Sequence, residues 1–235
     1  MSSRRSWLEV ELRITTLGPA RWGSGFRSLE ANSTVVRGQE GRLVIPGSTI
    51  KGSVRKACEQ LAGALGVRHC IGTRPEKLCR EKPCIICNLM GSPSFPSRLY
   101  FSDAHCQTSP ETKDQRWESL YGLRTRVSIS RRLGTAVGRR LFTTEHTIES
   151  PMMFCASISG SMASTIPPEE EIPLELRLLV GSLKLVNSLG GGRSLGFGRC
   201  QVTISRLTLD HKEIKPESIW EDWDSICLYD DCIAG

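Results

Sequence analysis

Residues 45–65 read IPGSTIKGSVRKACEQLAGAL. Pro46 and Gly47 interrupt whatever precedes them, and Ser48 brings the side-chain oxygen of a helix N-cap. Ile50, Val54, Ala57, Leu61 and Ala64 then recur at helical spacing, which predicts an amphipathic helix with that stripe against a core. Its other side is basic. Lys51 and Arg55 lie one turn apart, near a helix start whose unpaired N–H groups and dipole favour anions. Taken alone, the pair is either a phosphate seat or the solvated side of an ordinary helix.

A second stretch favours the first reading. Residues 190–199 read GGGRSLGFGR, with five glycines between Gly190 and Gly198 and with Arg193 and Arg199 as cations. Glycine at this density lets the backbone approach a ligand and adopt positive φ, so that several N–H groups can face an oxyanion. A dinucleotide fingerprint is excluded by the order of elements, since that motif follows a strand and opens a helix. Here the pattern predicts a helix before the glycines and a strand after them.

The chain has 235 residues, enough for one large domain with insertions. It contains no run of about eighteen apolar residues, and MSSRRSWLEV lacks the apolar segment of a secretory signal, which gives the expectation of a cytoplasmic location without membrane contact. The net charge of +6 is modest but unevenly placed. Six arginines (Arg124, Arg126, Arg131, Arg132, Arg139 and Arg140) fall between Gly122 and Thr144, and the tail from Asp210 to Asp231 is acidic. A local basic stretch points to a polyanion more strongly than the total charge does.

Ten cysteines without a secretory signal argue against a disulfide scaffold. Four of them, Cys70, Cys79, Cys84 and Cys87, crowd into HCIGTRPEKLCREKPCIIC beside His69. The spacing of Cys84 and Cys87 is that of a zinc knuckle, and the two further thiols complete a tetrahedral structural zinc site, with His69 as an alternative to one of them. Free thiols are the competing reading. A redox pair fits less well, because no thioredoxin-like strand and helix frame the two cysteines.

Leu8, Val10, Leu12 and Ile14 alternate with charged residues and predict a first strand. Residues 18–43 form a long irregular loop before the helix at Ser48. Residues 97–106 predict a second strand, with Asp103 at its end in a capping or pairing role. The 122–144 segment predicts a long hairpin bending near Gly134 and Gly138, and 150–161 returns as a strand. Pro167, Pro168 and Glu169 to Glu171 predict a helix start, and Leu174, Leu178, Leu185 and Leu189 its apolar stripe up to Gly190. Cys200, Val202, Ile204 and Leu207 predict the last strand. The result is an α+β chain with a ferredoxin-like, RRM-like βαββαβ core. One domain spans 1–235, with a zinc-knuckle insertion at 66–96, a hairpin insertion at 108–144 and an acidic tail at 210–235. The aromatic signature of RNA recognition motifs is absent, so contact with an RNA backbone is expected rather than base stacking on the sheet.

IPGSTIKGSVR, RVSISRRLGTAVGRRLFTTEH and GGGRSLGFGR, in this order, resemble the RAMP-superfamily backbone subunits of type III CRISPR effector complexes, over about Leu8 to Leu209. That resemblance implies a subunit binding crRNA and stacking head to tail with copies of itself in a filament. Such a subunit would present the guide to target RNA in antiviral defence, use a thumb-like hairpin and work beside other effector subunits. Carried onto this chain, Lys51, Arg55 and the backbone of Gly191, Gly192 and Ser194 would meet guide phosphates. Arg131 and Arg132 would line the guide and target path, and Ser48, Arg193 and Phe197 complete the candidate RNA-binding set.

Relatives that cut target RNA carry an aspartate where this chain has Asn32, within ANSTVVR. An amide cannot act as a general base or hold a divalent metal as a carboxylate does. The expectation is therefore a non-catalytic subunit. It fits a type VII-like arrangement, in which a separate nuclease cuts, as well as a silent type III copy. The competing reading is a metal-dependent endoribonuclease using Glu30, and a third is a zinc-containing RNA-binding protein that never polymerises.

Overall fold

The computed structural model describes residues 5–72, 74–107, 120–148, 151–163 and 172–219. The chain runs β1 (Arg5–Thr16), β2 (Val44–Ile45), α1 (Gly47–Ala64), α2 (Ile85–Met90), β3 (Leu99–Phe101), β4 (Ala104–Cys106), β5 (Tyr121–Ile129), β6 (Ala136–Thr147), β7 (Met153–Ala163), α3 (Leu174–Leu185), β8 (Cys200–Leu209) and β9 (Lys212–Glu213). The alternation in β1 does what its period demands: Leu8, Val10, Leu12 and Ile14 are fully buried while Glu9, Glu11 and Arg13 are less so. The main sheet has the order β2-β4-β7-β1-β8-β9, with β3 also on β7, and its ladders are antiparallel. Its inner face shares one core with Ile50 and Val54 of α1 and with Leu176, Leu179 and Leu183 of α3. Phe154 of β7 meets Trp22 edge to face at 5.5 Å.

The outer face of the sheet is mostly polar, with Ser159 and Ser157 of β7 opposite Glu9 and Glu11 of β1, and Thr203 and Gln201 of β8 opposite Arg13 and Thr15. Two exposed rings, Trp7 and Tyr100, stand on different strands of that face. Architecture and class agree with the expectation of an α+β chain: a mostly antiparallel sheet and three helices, compatible with a ferredoxin-like fold.

Three local expectations change. The strand over 97–106 is two short strands, broken at Ser102 and Asp103. The break has a purpose, because Asp103 Oδ1 accepts the Gly47 N–H at 2.7 Å and so holds the start of α1. Ser48 sits inside the first turn and does not cap it; Pro46 occupies the cap position. The negative charge that this helix start favours is thus supplied in part by the protein itself. Finally, α3 stops at Leu185 instead of reaching Gly190. Beyond it the chain pairs with the next strand, Leu189 N–H donating to Gly198 O at 2.8 Å and Cys200 N–H to Asn187 O at 3.0 Å. The helix-start signal at 167–171, the polar stretch 108–117 and the end of the acidic tail, 220–235, lie outside the described residues.

Two glycines of α1 carry opposite expectations. A Cβ on Gly47 would stand 2.3 Å from Phe101 O and 2.8 Å from Ser102 O, whereas one on Gly52 would enter open space. Gly52→Ala is expected to stabilise the chain by up to about 1 kcal/mol through helix propensity. Gly47→Ala is expected to destabilise it, and thermal unfolding of the two variants reads both signs.

Candidate nucleic-acid interface

Four segments distant in sequence meet at one place: the 18–43 loop, the first half of α1, the base of the β5–β6 hairpin and the glycine-rich turn. The turn is held backbone to backbone. Gly191 N–H donates to Arg21 O at 2.7 Å and Gly198 N–H to Pro19 O at 2.9 Å. Side chains are excluded there, since a Cβ on Gly190 would lie 2.2 Å from Arg21 O and one on Gly198 2.0 Å from Leu189 O, both at positive φ. The expectation that Gly191 faces a phosphate is therefore corrected: its N–H is committed to Arg21. The next three N–H groups, of Gly192, Arg193 and Ser194, have no acceptor among the described residues, and Ser194 is exposed. That is the usable part of the turn for an oxyanion.

Arg193 ties this turn to α1. Its Nη2 donates to Ser53 Oγ at 2.8 Å and its Nε to Gly190 O at 3.3 Å. Lys51, two residues before Ser53, is half-buried and has no hydrogen bond or ion pair among the described residues. Burial, then the neighbouring Arg55 charge, lowers its pKa. Arg55 itself turns away. It donates to Glu59 Oε1 at 3.1 Å, Gly91 O at 2.7 Å and Cys87 Sγ at 3.4 Å, so it faces the cysteine insertion and not the glycine turn.

The hairpin has two unlike faces. Arg124 stands opposite Thr144 and Arg126 opposite Phe142 on one, while Leu123, Val127 and Leu141 share the other and remain exposed. Phe197, named in the candidate RNA-binding set, is buried, 1 % exposed. It lies 5.4 Å from His146 and beneath Arg124 and Arg126, at 5.5 and 5.9 Å. The ring serves as a floor for two guanidinium groups. Arg21 adjoins them: burial, then the charge of Arg126, lowers its pKa. Among the described residues none of Arg21, Arg124, Arg126 and Arg193 has an acidic ion-pair partner. Cations crowded without counter-charge disfavour one another, and an incoming polyanion relieves that repulsion.

The candidate set drawn from the sequence does not contain Arg21, Arg124 or Arg126. The alternation Leu123, Arg124, Thr125, Arg126, Val127 holds the signal for the last two, a period of two with one basic face. Nothing in the chain marks Arg21. Arg131 and Arg132 are exposed at the hairpin turn, which Ser130 and Gly134 close. They stand roughly 20 Å along the strands from Arg124 and Arg126, so the structure does not bring them to the glycine turn.

Asn32 is paired with the edge of β6: its N–H donates to Thr143 O and its Oδ1 accepts the Thr143 N–H, both at 2.8 Å. The loop is fastened further by Glu145, which accepts from Val35 N–H at 2.8 Å and pairs with Arg37, and by Thr147, which accepts from Ala20 N–H at 2.9 Å. Glu30 is exposed in a turn where Ser28 Oγ accepts its backbone N–H at 3.3 Å.

The cysteine insertion closes on itself. The sulfurs of Cys70, Cys79, Cys84 and Cys87 all lie within 4.8 Å of one another, with Cys70 at 3.7 Å from Cys84 and 3.3 Å from Cys87. Four sulfurs around tetrahedral zinc at about 2.3 Å stand about 3.8 Å apart, so this donor set fits that ion. Cys84 N–H also donates to Cys79 Sγ at 3.4 Å. His69 Nδ1 is 2.8 Å from Val67 O, and the four thiols are the converging group. Four protein ligands leave no open position, which suits a structural and not a catalytic metal. The purified chain is expected to carry about one zinc per molecule by elemental analysis, and Cys87→Ser or a strong chelator to remove it and lower the unfolding temperature.

No helix among the described residues is long and apolar enough to cross a membrane. A search of curated proteins finds no match. A family model described as the RAMP superfamily matches residues 13–201, from within β1 through both loops of the interface to the start of β8. Proteins of that superfamily work in CRISPR ribonucleoprotein complexes with RNA and other subunits. With four-fifths of its length inside that match, the chain belongs to the RAMP superfamily of CRISPR-associated proteins.

Proposed function

We propose that this chain is a crRNA-binding backbone subunit of a CRISPR effector, gripping the guide by its phosphates and leaving bases free to pair with target RNA, and that it does not cut. The observation that carries the reading is the junction of Arg21, Arg124, Arg126 and Arg193, cations gathered from three segments with no acidic partner among the described residues. Lys51 and the N–H groups of Gly192, Arg193 and Ser194 extend that surface. Contacts of this kind read charge and not sequence, which is what a protein holding many different guides requires.

In this reading the whole chain is one RAMP domain on a βαββαβ core, β1-α1-β3/β4-β7-α3-β8, in the cytoplasm. The 66–96 insertion holds zinc. The β5–β6 hairpin is the thumb, with Arg131 and Arg132 at its tip meeting guide and target, and copies stack head to tail along the guide. The type VII-like arrangement with a separate nuclease accommodates a subunit whose Asn32 is bonded to β6.

Titration of the full chain with single-stranded RNA over a salt series tests the grip. Binding is expected to weaken linearly in log[salt], and Arg126→Gln or Lys51→Ala to reduce the slope by about 0.7 for each phosphate that is no longer neutralised. Absence of binding at low salt overturns the proposal. Incubation of the assembled complex with target RNA tests the silence of the site: the native chain is expected to leave target intact. Asn32→Asp, whose carboxylate retains an acceptor for Thr143 N–H, is expected to introduce metal-dependent cuts. Cleavage by the native chain would favour Glu30 as the active group instead.

A further inference from the structure

We propose that Arg55 is a positioning residue that pins the cysteine cluster to α1, so that metal occupancy steadies the part of α1 carrying Lys51 and Ser53. The inference rests on the zinc and RNA-binding readings above and adds a physical link between them. Three donors of one guanidinium join two helices: Nε to Glu59 on α1 itself, Nη1 to Gly91 O at the end of α2, and Nη2 to Cys87 Sγ within α2. Gly91 has φ 77°, and a Cβ there would stand 2.8 Å from Ser97 N, so the insertion leaves α2 through a turn with no slack. Arg55 bonds both the body and the end of that six-residue helix to α1.

Zinc with four thiolates carries a net charge of about −2. A guanidinium on one sulfur offsets part of that charge and orients the ligand, the role that groups behind metal ligands commonly play. The planar fork matters, because Arg can serve a carboxylate, a carbonyl and a sulfur at fixed angles, while an ammonium is a single point of charge. Two residues earlier on the same helix, Ser53 accepts from Arg193 of the glycine turn. A rigid α1 therefore transmits the position of the cluster to the RNA-facing junction.

The test compares Arg55→Lys, Arg55→Gln and Glu59→Gln in the full chain, by zinc release to a chromophoric chelator and by the salt slope of RNA binding. Both Arg55 variants are expected to release zinc about tenfold faster or more than the native chain, and Glu59→Gln to release it faster by a smaller factor. All three are expected to keep the native salt slope. Unchanged release rates overturn the proposal. So does a slope shallower by about 0.7 in Arg55→Gln that Arg55→Lys restores, since that pattern marks a cation bound directly to phosphate. Native chain without zinc, or without RNA binding, would sink the underlying readings separately.

Discussion

The approach of the glycine turn to Pro19 and Arg21 is closer than any side chain permits, and the interface is assembled around it. Two backbone hydrogen bonds, from Gly191 to Arg21 and from Gly198 to Pro19, lock two loops that are about 170 residues apart in the chain. Once they are locked, Arg193 reaches Ser53 on α1 and Phe197 slides under the hairpin. A Cβ at Gly190 would meet Arg21 O and push the loops apart, and one at Gly198 would meet Leu189 O and open the turn itself. Glycine here is required by the protein's own packing first, and the amides of Gly192, Arg193 and Ser194, without an acceptor among the described residues, are what that packing leaves over.

Electrostatics then follows from geometry. Arg124 and Arg126 project from one face of a two-stranded ribbon and Arg21 comes from the loop sewn to its base, so like charges are held near each other by covalent and backbone constraints. Phe197 offsets some of that cost through its ring face, and exposure to water offsets more. The hairpin's own anion, Glu145 of β6, is already engaged with Val35 and Arg37 of the loop. Among the described residues, what remains is a cationic surface without an acidic ion-pair partner, the feature on which the proposed grip on RNA rests.

The cysteine insertion contributes by stiffness. A short helix of six residues with Cys84 at its cap and Cys87 inside it has few ways to persist in water on its own. Four convergent sulfurs and Arg55 supply the constraint that the local sequence lacks. The same residue that a helical-wheel reading places on the phosphate side is thus drawn to the opposite task by a partner 32 positions away.

What could be read from the chain alone were the features set by neighbouring residues. The alternation of β1, the stripe of Ile50, Val54 and Ala57, the thiol quartet and the hairpin bend at Gly134 all appear where their spacing places them. The periodicity of a strand or helix is a local property, and so is the chelating reach of four close cysteines. Capping by Asp103, the turning of Arg55 toward Cys87, the burial of Phe197 and the meeting of Arg21 with Arg126 were decided only in three dimensions. Each depends on a partner tens to more than a hundred residues distant, and which side chain meets which across such a span is fixed by how loops and sheet pack, a choice that no local pattern encodes.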